Sequence, residues 1–199
     1  MNGYEKIKRR VINSVGLLTS LCARLQMWMH GIEFGSENIV RGKICVYNEG
    51  KIRIGSCNRI NSAYWANPIG LGNCTSLKVS SQGYLSIGSH CAISNTAIVC
   101  TTSVRIDDYV MIGSGCKIWD TDFHPIEPKY RKYGNNEFTK KSAVHICSNA
   151  FIGGGTMVLK GVTIGENAVI GAGSIVTKNI PANEIWAGSP AVFIKNLKD

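Results

Sequence analysis

The chain has 199 residues, 44% hydrophobic and 18% charged, with 22 glycines. That size fits one domain, and the composition excludes a disordered tail and suits an all-β repeat. Lys and Arg number 22 against 13 Asp and Glu, a formal charge of +9, which fits an anionic membrane surface or a phosphorylated cofactor. No aromatic-interleaved Arg/Lys motif is present, so nucleic acid is set aside as a partner.

In residues 1–30, Ile7, Val11, Val15, Leu18, Cys22, Leu25 and Met29 recur at three- or four-residue spacing, which predicts an amphipathic helix. Its basic start and apolar middle resemble a signal peptide, but Asn13, Ser14 and Arg24 interrupt the run and no small-residue cleavage site is clear. The segment is also too polar to span a bilayer. Two readings stand: a cap or inter-subunit packing element, and an interfacial helix lying against anionic lipid. Because apolar stripes more often bury against protein, packing is favoured.

From residue 31 the pattern changes. Ile54, Ile60, Ile87, Ile93 and Val99 fall in or near a six-residue register, and Ile106, Ile112 and Ile118 follow it strictly. Tyr64, Trp65, Asn67 and Pro68 sit in an insertion, expected as an early loop that either shapes an acceptor pocket or packs at a subunit contact. Eight cysteines show no CxxC pair. Cys91 and Cys116 fall in small inward positions, so free thiols in a reducing cytosol are expected.

The repeat breaks once, across residues 119–143, in a polar stretch with two prolines that is far too long for a turn. A long excursion inside a strict repeat points to function. Register then resumes at Ile146, Ile152, Val158, Ile164, Ile170 and Val176. A second series four residues later, Ala150, Thr156, Val162, Ala168 and Ser174, is small or β-branched. A strand has period 2 and a helix 3.6, so a period of six specifies a solenoid of short strands. Glycines 153, 165 and 171 each follow an aliphatic residue, where a bend wants no bulk.

The stretch IGGGTMVLKGVTIGENAVIGAGSIVTKNIP resembles the coils of the hexapeptide acyltransferases, and Asp120-Thr121-Asp122-Phe123-His124-Pro125 resembles the catalytic segment of their sugar O-acetyltransferases. The resemblance implies an all-β, left-handed parallel β-helix, an exception to the right-handed crossover rule. It divides the chain into a helix at 1–30, a β-helix at 31–185 carrying the excursion loop, and a tail at 186–199. It also implies a cytoplasmic homotrimer that moves an acetyl group from acetyl-CoA to a hydroxyl of a sugar or polysaccharide precursor.

A sugar hydroxyl becomes a competent nucleophile as its proton is removed, and imidazole is the side chain that acts as base near neutral pH. His124 is the expected general base. Asp120 and Asp122 either orient the imidazole and bind acceptor hydroxyls or satisfy turn amides. Asn95, one coil earlier, either contacts the acceptor or is a corner asparagine. The resemblance assigns coenzyme A to Ala172, Thr177, Lys178 and the tail residue Lys195, and an oxyanion-stabilising amide to the neighbourhood of Gly153 and Gly154. Phe151 stands where many relatives carry Trp, and Ser189 departs from the usual terminal motif.

His145 should point outward, with His90 at a corner and His30 at the helix end. Since 21 residues separate His124 from His145 with no histidine between, no metal site is expected. Competing readings are an acyltransferase for another small acceptor, such as an antibiotic, serine or an amino sugar, and a non-catalytic scaffold.

Overall fold

The computed structural model describes residues 3–70, 74–132 and 136–197. A helix, α1 (Gly3–Met29), precedes four coils of three strands each. These are β1 (Glu33–Phe34), β2 (Ile39–Gly42) and β3 (Cys45–Asn48); β4 (Lys51–Ile54), β5 (Arg59–Ser62) and β6 (Ser76–Val79); β7 (Tyr84–Ile87), β8 (Ala92–Ser94) and β9 (Ala97–Cys100); and β10 (Ser103–Ile106), β11 (Met111–Ile112) and β12 (Lys117–Trp119). The excursion follows, containing the short helix α2 (Pro128–Arg131). Two further coils are β13 (Val144–Ile146), β14 (Phe151–Ile152) and β15 (Met157–Val158), then β16 (Thr163–Ile164), β17 (Val169–Ile170) and β18 (Ile175–Val176). A hairpin of β19 (Glu184–Gly188) and β20 (Ala191–Asn196) ends the chain.

Within β1 to β18 each strand pairs in parallel with the third strand before and after it, so three sheets form the walls of a left-handed parallel β-helix. Three hexads make one coil. Ile146 pairs with Ile164, Ile152 with Ile170 and Val158 with Val176, so each aliphatic residue of the series stacks on its image one coil away. All six are buried, as are Ala150, Thr156, Val162, Ala168 and Ser174 of the second series. The two buried hydroxyls are satisfied locally: Thr156 Oγ1 donates to Gly171 O at 3.2 Å and Ser174 Oγ to the same carbonyl at 2.6 Å.

At the glycines after the aliphatic series, side-chain bulk is excluded by the coil stacked beside them rather than by the backbone conformation. Gly153, Gly165 and Gly171 are not among the positive-φ residues. A Cβ at Gly153 would instead lie 2.5 Å from the Ala172 amide nitrogen of the next coil, so stacking distance excludes a side chain. Cys91, Cys100 and Cys116 point inward, and all eight cysteines are free. Burial pushes the Cys91 thiol up to about 11 and the Cys100 thiol up to about 12, which keeps both protonated and inert.

A solenoid must close its two ends, since each end coil presents unpaired backbone groups. At the first end α1 does this with polar side chains. Thr19 Oγ1 donates to Val40 O at 2.6 Å, Val40 N donates to Ser20 Oγ at 2.9 Å, and Gln26 Nε2 donates to Ile44 O at 3.0 Å. Gly16, Ala23 and Met27 are buried between them. The expected packing stripe is therefore inverted: Ile7, Val11, Val15, Leu18, Cys22, Leu25 and Met29 are all exposed in the single chain. Small and hydrogen-bonding residues dock because the coil edge offers N–H and C=O groups that an apolar face would leave unsatisfied.

At the other end β19 extends the second sheet beside β17, and β20 turns back antiparallel on it. Trp186 and Ala191 are buried there. The tail boundary at 186 thus falls inside a strand of the solenoid wall. No helix among the described residues is long and apolar enough to cross a membrane.

Candidate active site

The excursion leaves the corner between the third and first sheets, and its two strands close into a neck before it opens. Thr121 bridges Lys141 in antiparallel fashion, Asp122 N donates to Lys140 O at 3.1 Å, and Ser142 N donates to Asp120 O at 2.9 Å. Beyond the neck the arm has its own small aromatic cluster, with Tyr130 stacked on Phe138 at 3.9 Å between centroids.

Asp120 is the root of the neck, and its two readings separate here. Its side chain is fully buried and accepts from Thr101 N and Oγ1, Thr102 N and Oγ1, and Ser103 N, all between 2.6 and 3.0 Å. An ionised carboxylate offers about four lone-pair positions, so these donors fill them. Acceptor binding by Asp120 is therefore corrected: it secures the turn of the coil above and has no valence left for a ligand.

Asp122 lies two residues on and faces the other way. Its Oδ1 pairs with Lys160 Nζ at 2.7 Å, and its Oδ2 is buried with no partner among the described residues. Lys160 was not anticipated, though a signal existed: it occupies the same corner as Lys178, one coil earlier. Phe123 follows with φ +63°, a left-handed conformation costly for a bulky residue, and His124 N donates across it to Asp122 O at 2.7 Å. The edge-on contact of Phe123 with Trp119, 5.1 Å between centroids, and the donation of Phe123 N to Thr121 Oγ1 at 3.1 Å hold this turn.

The tight turn presents His124 outward, with its side chain exposed beside the neck. His124 Nδ1 lies 3.2 Å from Asn136 Oδ1. The amide oxygen can only accept, so this contact fits the tautomer with its proton on Nδ1, in which Nε2 is the acceptor nitrogen. Nothing in the sequence marked Asn136 for this role.

Asn95 sits at the corner between the second and third sheets with φ +44° and is 2% exposed. Its Nδ2 donates to Ser114 Oγ at 3.0 Å and to Asn67 O at 3.3 Å, tying the 63–70 insertion to the coil. The corner role accounts for Nδ2, while Oδ1 is buried with no partner among the described residues. Tyr64 and Trp65 lie in that insertion and are exposed.

The residues assigned to the donor fall on two edges of the third sheet. Gly154 and Ala172 share the Asn95 corner, stacked so closely that Gly173 N donates to Gly154 O at 2.9 Å. The Gly153 amide is engaged by Ile170 O, which leaves the Gly154 amide as the candidate donor to an oxyanion. Thr177 and Lys178 lie on the excursion's own corner, both exposed, with Lys178 Nζ 5.0 Å from the Trp186 ring centroid. Lys195 is on β20, opposite Ile185. A pantetheine-like arm would fit against the close-stacked small residues, and the exposed ammonium groups suit phosphates. Within one chain these five residues do not converge on a single cleft.

Elsewhere, His145 Nε2 pairs with Asp107 Oδ2 at 2.8 Å and Arg105 Nε with Asp107 Oδ1 at 2.6 Å. Cys147 Sγ is 3.9 Å from both His145 ring nitrogens. Among the described residues this is the one Asp/His/Cys group with ligand atoms within 4.8 Å of one another, and both Asp107 oxygens are already occupied by cationic or donor partners. Burial raises the Asp107 carboxyl, but the hydrogen bonds and charges of His145 and Arg105 outweigh it and hold the group below its ordinary value.

Residues 143–178 match the family of the bacterial transferase hexapeptide (six repeats). The chain is 42% identical over 105 residues to a galactoside O-acetyltransferase of Lactococcus lactis, covering 53% of this chain and 49% of that protein. It is 40% identical over 108 residues to nodulation protein L of Rhizobium meliloti, covering 54% and 57%. The chain thus spans about half the length of these curated relatives. Among solved structures it resembles a maltose O-acetyltransferase from Clostridium difficile, with TM-score 0.54, 27% identity, and 84% and 70% of the two chains covered. A likeness in fold alone is to the N-acyltransferase AntD of Bacillus cereus in complex with dTDP and coenzyme A, with TM-score 0.67, 22% identity, and 87% and 89% covered. The repeat at residues 143–178 and the fold of the coils are those of the hexapeptide-repeat superfamily.

Proposed function

We propose that this protein moves an acetyl group from acetyl-CoA to a hydroxyl of a sugar or polysaccharide precursor, with His124 as general base. The observation that carries the proposal is the His124 imidazole itself: exposed at the neck of the arm, with Nδ1 3.2 Å from the Asn136 oxygen. The names of the sugar O-acetyltransferases to which it is similar support the reaction class.

His124 Nε2 takes the proton of the acceptor hydroxyl as that oxygen attacks the acetyl carbonyl. The Gly154 amide donates to the oxygen on which negative charge develops. The imidazolium then returns its proton to the departing sulfur, so the acetyl group passes directly between bound substrates and no enzyme side chain is acylated. Asp122, its side chain 24% exposed and steadied by Lys160, is the carboxylate proposed to meet a hydroxyl of the acceptor. Of the two aspartates expected there, Asp122 alone keeps that role.

Gly154 and Ala172 stand on one edge of the third sheet and Thr177, Lys178 and the arm on the other. This division is the reason to propose a homotrimer, in which the arm of one protomer lies over the donor edge of its neighbour. A cytoplasmic setting, where acetyl-CoA is made, belongs to the same reading.

The test is acceptor-dependent release of free thiol from acetyl-CoA, assayed with galactosides, maltose, an amino sugar, chloramphenicol and serine. Turnover with a saccharide hydroxyl is expected. Turnover confined to an amine acceptor would replace O-acetylation with N-acetylation, and absence of coenzyme A binding at millimolar concentration would favour a scaffold.

A further inference from the structure

We propose that α1 is an in-plane anchor for an anionic lipid surface, laid across the end of the solenoid with its apolar face turned outward. The helix has two opposed faces. Gly16, Ser20, Ala23 and Met27 lie against the first coil. At 100° per residue the other side carries Leu17, Leu18, Leu21, Leu25, Trp28 and Met29, between 56% and 76% exposed. Ile7 and Val11 continue that face toward the start of the helix.

So broad an exposed aliphatic surface on a helix already fixed by its polar side is not a solvent-facing design. Its direction also matters. The docking bonds go to the free edge of β2, so the outward face points away along the solenoid axis, while the arm with His124 leaves three coils further on. An occupant of this face does not compete with the site.

Charge selects the occupant. The helix carries Lys6, Lys8, Arg9, Arg10 and Arg24 against Glu5, five positive charges to one negative. A second copy meeting this face would set like charges together, whereas an anionic bilayer supplies the opposite sign within a Debye length. Aliphatic residues, a tryptophan at one end and basic residues at the other are the composition of a helix that lies in the headgroup region without spanning the bilayer.

The test is co-sedimentation of the full chain with vesicles, free of acetyl-CoA and acceptor, so that its outcome is independent of the enzymatic reading. Wild type is expected to sediment with phosphatidylcholine vesicles containing about one-third phosphatidylglycerol, several-fold less with phosphatidylcholine alone, and less as salt rises. Leu21→Glu with Leu25→Glu should lower the partition about tenfold or more, since two exposed side chains lose their apolar insertion. The paired variant's melting temperature should match wild type, because neither residue touches the coil. Arg10→Gln with Arg24→Gln keeps the apolar face and should lose the preference for anionic vesicles. No sedimentation with the anionic vesicles would overturn the proposal. So would unchanged partition of the Leu variant, or light scattering that shows self-association through Leu21 and Leu25 without lipid binding.

Discussion

In the wall of the solenoid, Ile146 is pinned between Ile106 and Ile164 of the coils on either side, and its neighbours follow from counting along the chain. In the arm, His124 is positioned by a strained Phe123, the edge of Trp119 and an asparagine twelve residues away. The wall is built by repetition, and departures from it are expelled at its corners. The arm is built by particular contacts and is free to carry chemistry, provided its root is anchored in the wall. Asp120 and Asp122 mark the boundary: one is locked to the coil by five donors, and the other pairs with Lys160 in the neck of the arm.

If that division is right, damage to the arm and damage to the wall should show up in different measurements. The largest effect belongs to the arm. His124→Ala should lower turnover by about 10²- to 10⁴-fold, the usual contribution of a positioned base, while its thermal melting stays at the wild-type value. A variant that melts early would mean the histidine is part of the wall after all.

Asp120→Ala should do the reverse. It leaves the amides of Thr101, Thr102 and Ser103 without their acceptor in a part-buried turn, at up to about 1–3 kcal/mol for each group that water does not reach. Urea unfolding should therefore shift by several such increments, and activity should fall only in proportion to the folded fraction. A stable but inactive Asp120→Ala would instead place this carboxylate in the chemistry.

Ile146→Ala removes a fully buried side chain from the stack and should cost about 2–5 kcal/mol in the same assay. The smallest effect is expected on the outer surface of the wall. Asp107→Asn should cost about 0.2–1 kcal/mol at neutral pH, as exposed ion pairs do. The carboxyl of Asp107 is held below its ordinary value in the folded protein, so its contribution is complete above the ordinary carboxylate range. It is lost as pH falls through the lowered value. The gap between wild type and Asp107→Asn should accordingly narrow in acid, read as urea midpoints at successive pH values.

The same contrast decides what the amino-acid sequence could disclose. Period six made the inward aliphatic residues legible one by one, because each has a counterpart one coil away. Residue alternation could also have placed Asp120: Ile118 points inward, so Asp120, two positions on, does too, whereas the alternation ends at the neck and does not extend to Asp122. Lys160 was legible for the same reason, sharing a corner with Lys178. Asn136 was not, since a contact made across an irregular loop leaves no period to read. The α1 helix shows a subtler limit. Its spacing announced two faces, but not which would dock, because the coil edge asks for hydrogen-bonding side chains such as Thr19, Ser20 and Gln26 before it asks for apolar area.

The most direct test of the role given to His124 is a crystal structure of the assembled protein with coenzyme A and a saccharide acceptor. The account predicts His124 Nε2 within hydrogen-bonding reach of the acceptor hydroxyl, about 3 Å, with that oxygen beside the thiol end of the donor and the Nδ1 contact to Asn136 kept. An imidazole turned to solvent and remote from the thiol, with another side chain on the hydroxyl, would contradict it.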